Sequence, residues 1–377
     1  KVESVRMRAQ VFLSVFLLCV AVSSAADFRD HVGFQRGRLR YALEAKIENW
    51  STQKAKGTLL KKGTSFELID DKPQTRIMLD NGLLTTVPKA AIEKSKMCWS
   101  VPVQKLRATG KALNLLAPHK VAQGVEYRRS VQLGSRLHLL KIQVDNTSSV
   151  EPAVVVSPRF RPQSQSKNRW LDIERVAHQQ EASVALSGTF YVCSQKHGGR
   201  PLGRIVTDGD VINPPTRFKR ARRRISYVWT HSGSHRFLSF DDSIKEQSET
   251  KAELGGLGIL VKNGDTNHWR NYVSKHFAPS YYSGFTRRPQ VLYGTDKLGK
   301  TLWVLLQEGR PRSPRPLSLP ELSVLLTAIG ASDVAFSDGG TTADLLINGR
   351  SVVSRGRGSR RELHSTIWVI RPHKKEF

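Results

Sequence analysis

Between Asp333 and Ser354 the chain reads D-V-A-F-S-D-G-G-T-T-A-D-L-L-I-N-G-R-S-V-V-S, and this stretch decides the fold. Apolar Val334, Ala335 and Phe336 lead to an acid, Asp338, followed at once by Gly339 and Gly340. A second apolar run, Leu345 to Ile347, meets the dipeptide Asn348-Gly349 and continues into Val352-Val353. The pattern predicts strand, tight glycine loop, strand, hairpin turn, strand. Paired glycines let the backbone bring its N–H groups close to a ligand. A carboxylate at the lip of such a loop can do acid/base work beside donors suited to a phosphate or sugar oxygen. Taken alone, Asp-Gly-Gly fits an acidic β-turn without chemistry better, so the neighbouring sequence has to decide.

Just upstream, Ser318 to Ile329 predicts a helix. Ser318 and Glu321 have capping-box spacing, and Pro320 suits a first turn. Leu322, Leu325, Leu326 and Ile329 form one apolar stripe, and Gly330 is a stop signal. A helix feeding straight into the Asp338 strand would hold the acid rigidly, as catalysis requires. Further upstream, strand-like runs occur at 125–127, 137–145 and 154–157, and a helical rhythm at 171–181.

The 377 residues suffice for one large domain and a small one, and 39% hydrophobic content is that of a globular chain. Arg6 and Arg8 precede an apolar stretch from Val11 to Val22, followed by Ser23, Ser24, Ala25 and Ala26. This is the layout of a signal peptide, assigned to 1–26, and the apolar stretch is short for a membrane span. The mature protein is therefore expected to be secreted, periplasmic or associated with the cell envelope, with no transmembrane segment. Cys98 and Cys193 remain after cleavage and can pair in an oxidising compartment. No Cys/His cluster has zinc spacing, so no metal ligands and no cofactor are expected, and a divalent-cation requirement is left open.

A formal net charge of +28 favours anionic partners such as cell-envelope polymers or acidic glycans. The densest run, Arg217 to Arg224, is expected to be a solvated loop. No zinc-finger, RNA-binding or recognition-helix pattern supports a specific nucleic-acid function. Asp241-Asp242 is expected to offset surface charge, and Trp99, Trp269 and Trp303 to be core residues. His197, between two glycine-rich segments, is expected in a solvated turn.

Short strands separated by turns at Lys61–Thr64, Asp70–Pro73 and Asp80–Gly82 end at V-P-K-A-A-I, residues 87–92. Residues 40–95 thus resemble a bacterial SH3-like domain, which implies a small β-barrel that binds or positions. A connector is expected at 96–116 and the main domain at 117–373.

Four segments of that domain, in order, resemble the phosphodiester glycosidase family. The first is Ala185 to Tyr191 with Arg200-Pro201-Leu202-Gly203 and Asp208-Gly209-Asp210. The second is Leu260 to Gly264, and the third runs from Arg288-Pro289-Gln290-Val291 through Gly294, Asp296 and Gly299. The fourth is the Asp338 segment, followed by Arg361 and the strand 366–370. The resemblance implies an α+β fold, a mixed or antiparallel sheet with packed helices. It implies hydrolysis of a sugar phosphodiester or related cell-envelope glycoconjugate, with Asp338 as acid/base or electrostatic stabiliser and Arg361 binding the anion. Ser187, Gly188, Thr189, Gln290, Gly339, Gly340, Thr341, Thr342 and Ser365 would line the substrate site.

This chain departs from the family's pattern at four of these places. Ser187 stands where the family commonly has Asn, and Gln290-Val291 where it has Arg-Thr. Thr341-Thr342 replaces Gly-Ser, and Ser365 replaces a late Asn. Glutamine lacks the charge of a bidentate arginine clamp. These changes imply an altered substrate or, alternatively, a non-catalytic module that binds anionic cell-envelope polysaccharide.

Overall fold

The computed structural model describes residues 101–143, 150–160, 170–191, 199–213, 224–266, 268–269, 289–308, 317–339, 343–353 and 364–372, and before these the backbone of strands between 31 and 98. Among those early strands are Ala55–Leu60, Ser65–Leu68, Gln74–Leu79 and Leu84–Pro88, at the expected positions. They join a seven-stranded antiparallel sheet with Gln35–Leu39, Leu43–Glu48 and Ile92–Cys98. An SH3-like closure of this unit stays an expectation of the sequence.

The expected connector is a structural element instead. Helix α1, Val103–Leu115, buries Leu106, Thr109, Gly110 and Leu113. Leu106, Thr109, Gly110 and Leu113 repeat at helical spacing, which the Gly and Lys residues among them obscure in the sequence.

Among the described residues, sixteen strands follow. They are β1 His119–Ala122, β2 Val125–Gln132, β3 Ser135–Gln143, β4 Val150–Val156, β5 Val184–Ser187, β6 Ile205–Thr207, β7 Asp210–Asn213 and β8 Ile225–Thr230. The rest are β9 His235–Ser239, β10 Thr250–Val261, β11 Gln290–Thr295, β12 Thr301–Glu308, β13 Asp333–Phe336, β14 Leu345–Ile347, β15 Arg350–Ser351 and β16 Thr366–Pro372. The other α-helices among the described residues are α2, Ile173–Gln179, α3, Phe240–Lys245, and α4, Leu319–Ala328.

An eleven-stranded sheet has the order β1-β2-β3-β12-β11-β13-β10-β6-β7, with β8 on β10 and β9 on β8. A five-stranded sheet has the order β4-β16-β5-β14-β15. Every pairing described is antiparallel, as the antiparallel alternative of the α+β expectation requires. Helices α1 and α4 pack together, α4 against the large sheet, while α2 covers the small sheet. Leu and Val side chains of the large sheet and α4 fill the main core, and Ala185, Leu346, Ile367 and Val369 meet α2 in a second one.

Local chemistry explains the elements that carry the site. Ser318 Oγ accepts from the Glu321 N–H, and Glu321 answers through Ser318 N, so α4 begins on the expected capping box. Glu321 also accepts from Val101 N at 2.8 Å, which ties α4 to the strand before α1. Gly330, at φ 123°, ends the helix, and β13 follows. Asn348 and Gly349, at φ 48° and 73°, make the hairpin turn between β14 and β15. The last strand of that motif is Arg350–Ser351 rather than Val352-Val353, since a two-residue turn returns the chain at once.

Strand β10 serves two neighbours. Its first half pairs with β6 and β8, and its second half with β13. The change falls at Gly256, the residue skipped in the β8 register between Gly255 and Leu257, at φ 88°. Such a bulge kinks the strand and re-aims it, and the positive φ selects glycine.

Candidate functional site

The end of β5, the start of β16, the start of β11 and the end of β13 meet on one side of the domain. At the first pair, Gly188 N donates to Thr366 O at 3.0 Å and Thr189 N to Thr366 Oγ1 at 2.8 Å. A Cβ on Gly188 would lie 2.2 Å from Thr366 Oγ1, so the approach tolerates only glycine. Ser187 is buried; its N–H donates to Asp344 O, and its Oγ accepts from Asp344 N at 3.4 Å. Its carbonyl accepts from the Tyr293 hydroxyl on the large sheet at 3.4 Å, joining the two sheets.

At the second pair, Ser337 N donates to Val291 O and holds the chain leaving β13 against β11. Asp338 follows, half-buried, with Oδ1 accepting from Gly339 N at 2.9 Å. A Cβ on Gly339 would lie 2.6 Å from Pro289 O and 2.8 Å from Gln290 Oε1. The glycine therefore lets the Asp338 loop rest on the strand start that carries Gln290. Phe190 and Phe336 pack edge to face at 5.8 Å, linking the Ser187–Thr189 corner to the strand that ends at Asp338.

Ser187, Gly188, Thr189, Gln290, Asp338 and Gly339 are thus brought together at adjoining strand ends. Ser365 is buried next to Thr366, and its carbonyl accepts from Ser157 N. Arg361, Gly340, Thr341 and Thr342 lie outside the described residues, as do His197, Cys193 and Trp99. Among the described residues, Thr189 Oγ1 and Ser365 Oγ are buried without a hydrogen-bond partner.

Several neighbours escaped the sequence. Asp344, nearly buried, accepts from Leu345 N and from Ser351 Oγ and so fixes the far side of the loop. Its only signal was an acid opening an apolar run. Tyr227 and Tyr293 stack at 6.3 Å between the sheets, and burial pushes both hydroxyls well above the usual phenol range, leaving neutral donors. Arg224, the last residue of the basic run, is buried rather than solvated, while the rest of the run lies outside the described residues. Its guanidinium lies 4.7 Å from the Phe190 ring centroid, and Nη1 donates to Gly256 O at 2.9 Å.

Other expected residues have structural places. Trp269 and Trp303 are buried in the core. Ser239 caps the short α3, its Oγ accepting from Asp242 N, and the Asp242 carboxylate accepts from Ser239 Oγ and faces Lys245 on the surface. Asp208 forms the β6–β7 turn and is bonded to Arg371, which also bonds Glu151. No group of three or more His, Cys, Asp or Glu side chains among the described residues is placed to hold a metal ion.

The class follows from comparison of the whole chain. A family model for phosphodiester glycosidases matches residues 180–370, which span every strand end of the site, and the chain belongs to that family. Among solved structures it is similar to the zebrafish N-acetylglucosamine-1-phosphodiester alpha-N-acetylglucosaminidase catalytic domain auto-inhibited by its pro-peptide. Identity there is 16%, with 68% of this chain and 89% of that one covered and a TM-score of 0.51, a likeness of fold. A hypothetical protein from Synechocystis matches at 9% identity, covering 90% of this chain and 81% of that one, with a TM-score of 0.49. A putative exported protein from Burkholderia pseudomallei matches at 10% identity, covering 93% and 92%, with a TM-score of 0.48. No curated protein matches the chain.

Proposed function

We propose that the protein is an exported hydrolase that cleaves a sugar from a phosphodiester at the anomeric carbon. The observation that supports this most is that Asp338 follows β13 and lies beside the start of β11, within residues 180–370 that match the family model. Water attacks the anomeric carbon, the bond from that carbon to the phosphate oxygen breaks, and the electron pair leaves with a phosphomonoester. Asp338 takes the proton of the attacking water or stabilises the oxocarbenium-like centre. A phosphate leaving group is already a good one, so strong protonation of it is unnecessary, and anchoring its charge matters more. Arg361 is assigned to that anchoring by its place in the motif. The Ser187, Thr189 and Ser365 hydroxyls suit sugar or phosphate oxygens.

The apolar segment 11–22 with its small-residue border supports export, and among the described residues no helix is long and apolar enough to cross a membrane. The charge of +28 suits an anionic envelope glycan as substrate. Gln290, in place of an arginine and packed on Gly339, favours one second reading, a module that binds such a glycan without turnover.

Release of free sugar from a panel of synthetic sugar phosphodiesters separates the two. The proposal expects release by the native protein and its loss in Asp338→Asn at unchanged melting temperature. Retention of anionic polysaccharide with no release from any substrate would favour the binding module.

A further inference from the structure

We infer that Tyr293 is a positioning residue of this site, its buried phenol setting the distance between the Ser187–Thr189 corner and the Asp338 arm. The inference rests on the hydrolytic site proposed above and deepens it, since it names the side chain that keeps the two halves in register. Tyr293 touches no substrate atom. It acts through Ser187 and through Ser337, the residue before Asp338.

One side chain connects the four strands that carry the proposed site residues. Tyr293 stands on β11, fully buried, and pairs across the ladder with Ala335 of β13. Its hydroxyl donates to Ser187 O on β5 at 3.4 Å. Its ring meets Trp368 of β16 edge to face at 6.1 Å, two residues from the Thr366 that holds Gly188 and Thr189. Ser337, just beyond β13, is tied to β11 by its N–H on Val291 O, and its side chain lies within hydrogen-bonding influence of the Tyr293 hydroxyl.

The phenol has one hydrogen to give. Burial pushes its ionisation above the usual phenol range, with the Ser337 side chain acting the other way, so the hydroxyl stays protonated. The bond to Ser187 O is long for a hydroxyl donor, and the buried Ser337 Oγ completes no hydrogen bond among the described residues. Two acceptors on opposite arms thus share one donor, and the position of each arm is felt at the other. The rings of Tyr227 and Trp368 clamp the phenol and fix where its hydroxyl stands. Such spacing matters most at Asp338, where a small misplacement is costly to catalysis.

Hydrogen exchange of the full chain, followed by mass spectrometry, reads this without a substrate. Tyr293→Phe keeps the ring and removes the hydroxyl. It should speed exchange in peptides 184–190 and 333–339 together, by about tenfold, and leave α4 unchanged. Ser337→Ala removes the competing acceptor, so exchange in 184–190 should slow, and that effect should vanish in the Tyr293→Phe background. On a sugar phosphodiester, Tyr293→Phe should lower kcat by about tenfold with KM within about twofold of native, a split that a purely structural role would not produce.

Faster exchange in one arm alone, or spread evenly over the domain and α4, would overturn the inference. So would a Ser337→Ala effect that persists unchanged beside Tyr293→Phe. Should Tyr293→Phe fail to fold, Ser337→Ala in the native background decides, and unchanged exchange in 184–190 overturns the inference. Sugar release that ignores Tyr293→Phe sinks this inference alone. Coupled exchange of the two arms without release from any substrate sinks the proposed function alone.

Discussion

At the start of α4, Glu321 and Gln307 give every side-chain polar atom to the backbone, whereas at the strand ends beside Asp338 buried hydroxyls lack partners. Glu321 accepts from Val101 N, Ser318 N and Ser318 Oγ. Gln307 clasps both the N–H and the carbonyl of Leu317. Thr189 Oγ1 and Ser365 Oγ, equally buried, bond nothing among the described residues. Both clusters belong to the same domain and the same core. The difference teaches what each is for: satisfied buried polarity fixes a fold, while unsatisfied buried polarity costs stability and is retained where a ligand completes it.

Mutations that break this comparison can be ranked. The largest effect belongs to Asp338→Asn, which should lower turnover by about a thousandfold while shifting the melting temperature little. Steady-state kinetics beside a thermal melt would check it. Next, Glu321→Ala strands three donors at the α4 cap and should destabilise the domain by about 3 kcal/mol, read by urea denaturation.

A similar size is expected from acid at His235. Burial holds its imidazole down at about 4 in the folded chain, against 6.5 when exposed. The unfolded chain therefore binds the extra proton first, so stability falls as pH drops from about 6.5 to 4, by up to about 3 kcal/mol. His235→Phe should flatten that part of the pH–stability curve, and an unchanged slope would refute the assignment.

Smallest in stability and sharpest in meaning is Thr189→Val. It removes an unpartnered hydroxyl at constant shape, so stability should stay within about 1 kcal/mol of native or rise, while activity falls about tenfold. Ser318→Ala, the matching change in the satisfied cluster, should cost about 1 kcal/mol and leave activity alone. If Thr189→Val destabilises and leaves activity intact, the contrast fails.

Legibility in the sequence followed the same division. The capping box, the Gly330 stop and the Asn348-Gly349 turn are local chemistry, and they stand where the sequence puts them. The close backbone approaches at Gly188 and Gly339 are announced by short glycine motifs. Arg224 was hidden in a run of like residues, where composition says solvent and only the fold says buried. Helix α1 was missed because its buried face includes Thr109 and Gly110, apolar only by virtue of what α4 places over them. The pairing of Tyr293 with Ser187 spans over a hundred residues and has no local signature.

The central claim is that water, directed by Asp338, attacks the sugar carbon rather than the phosphorus. Hydrolysis of a sugar phosphodiester in water enriched in heavy oxygen tests this most directly, with the products weighed by mass spectrometry. The account predicts the label on the released sugar, none on the phosphomonoester, and no labelled product with Asp338→Asn. Label on the phosphate would make the protein a phosphodiesterase and contradict the account.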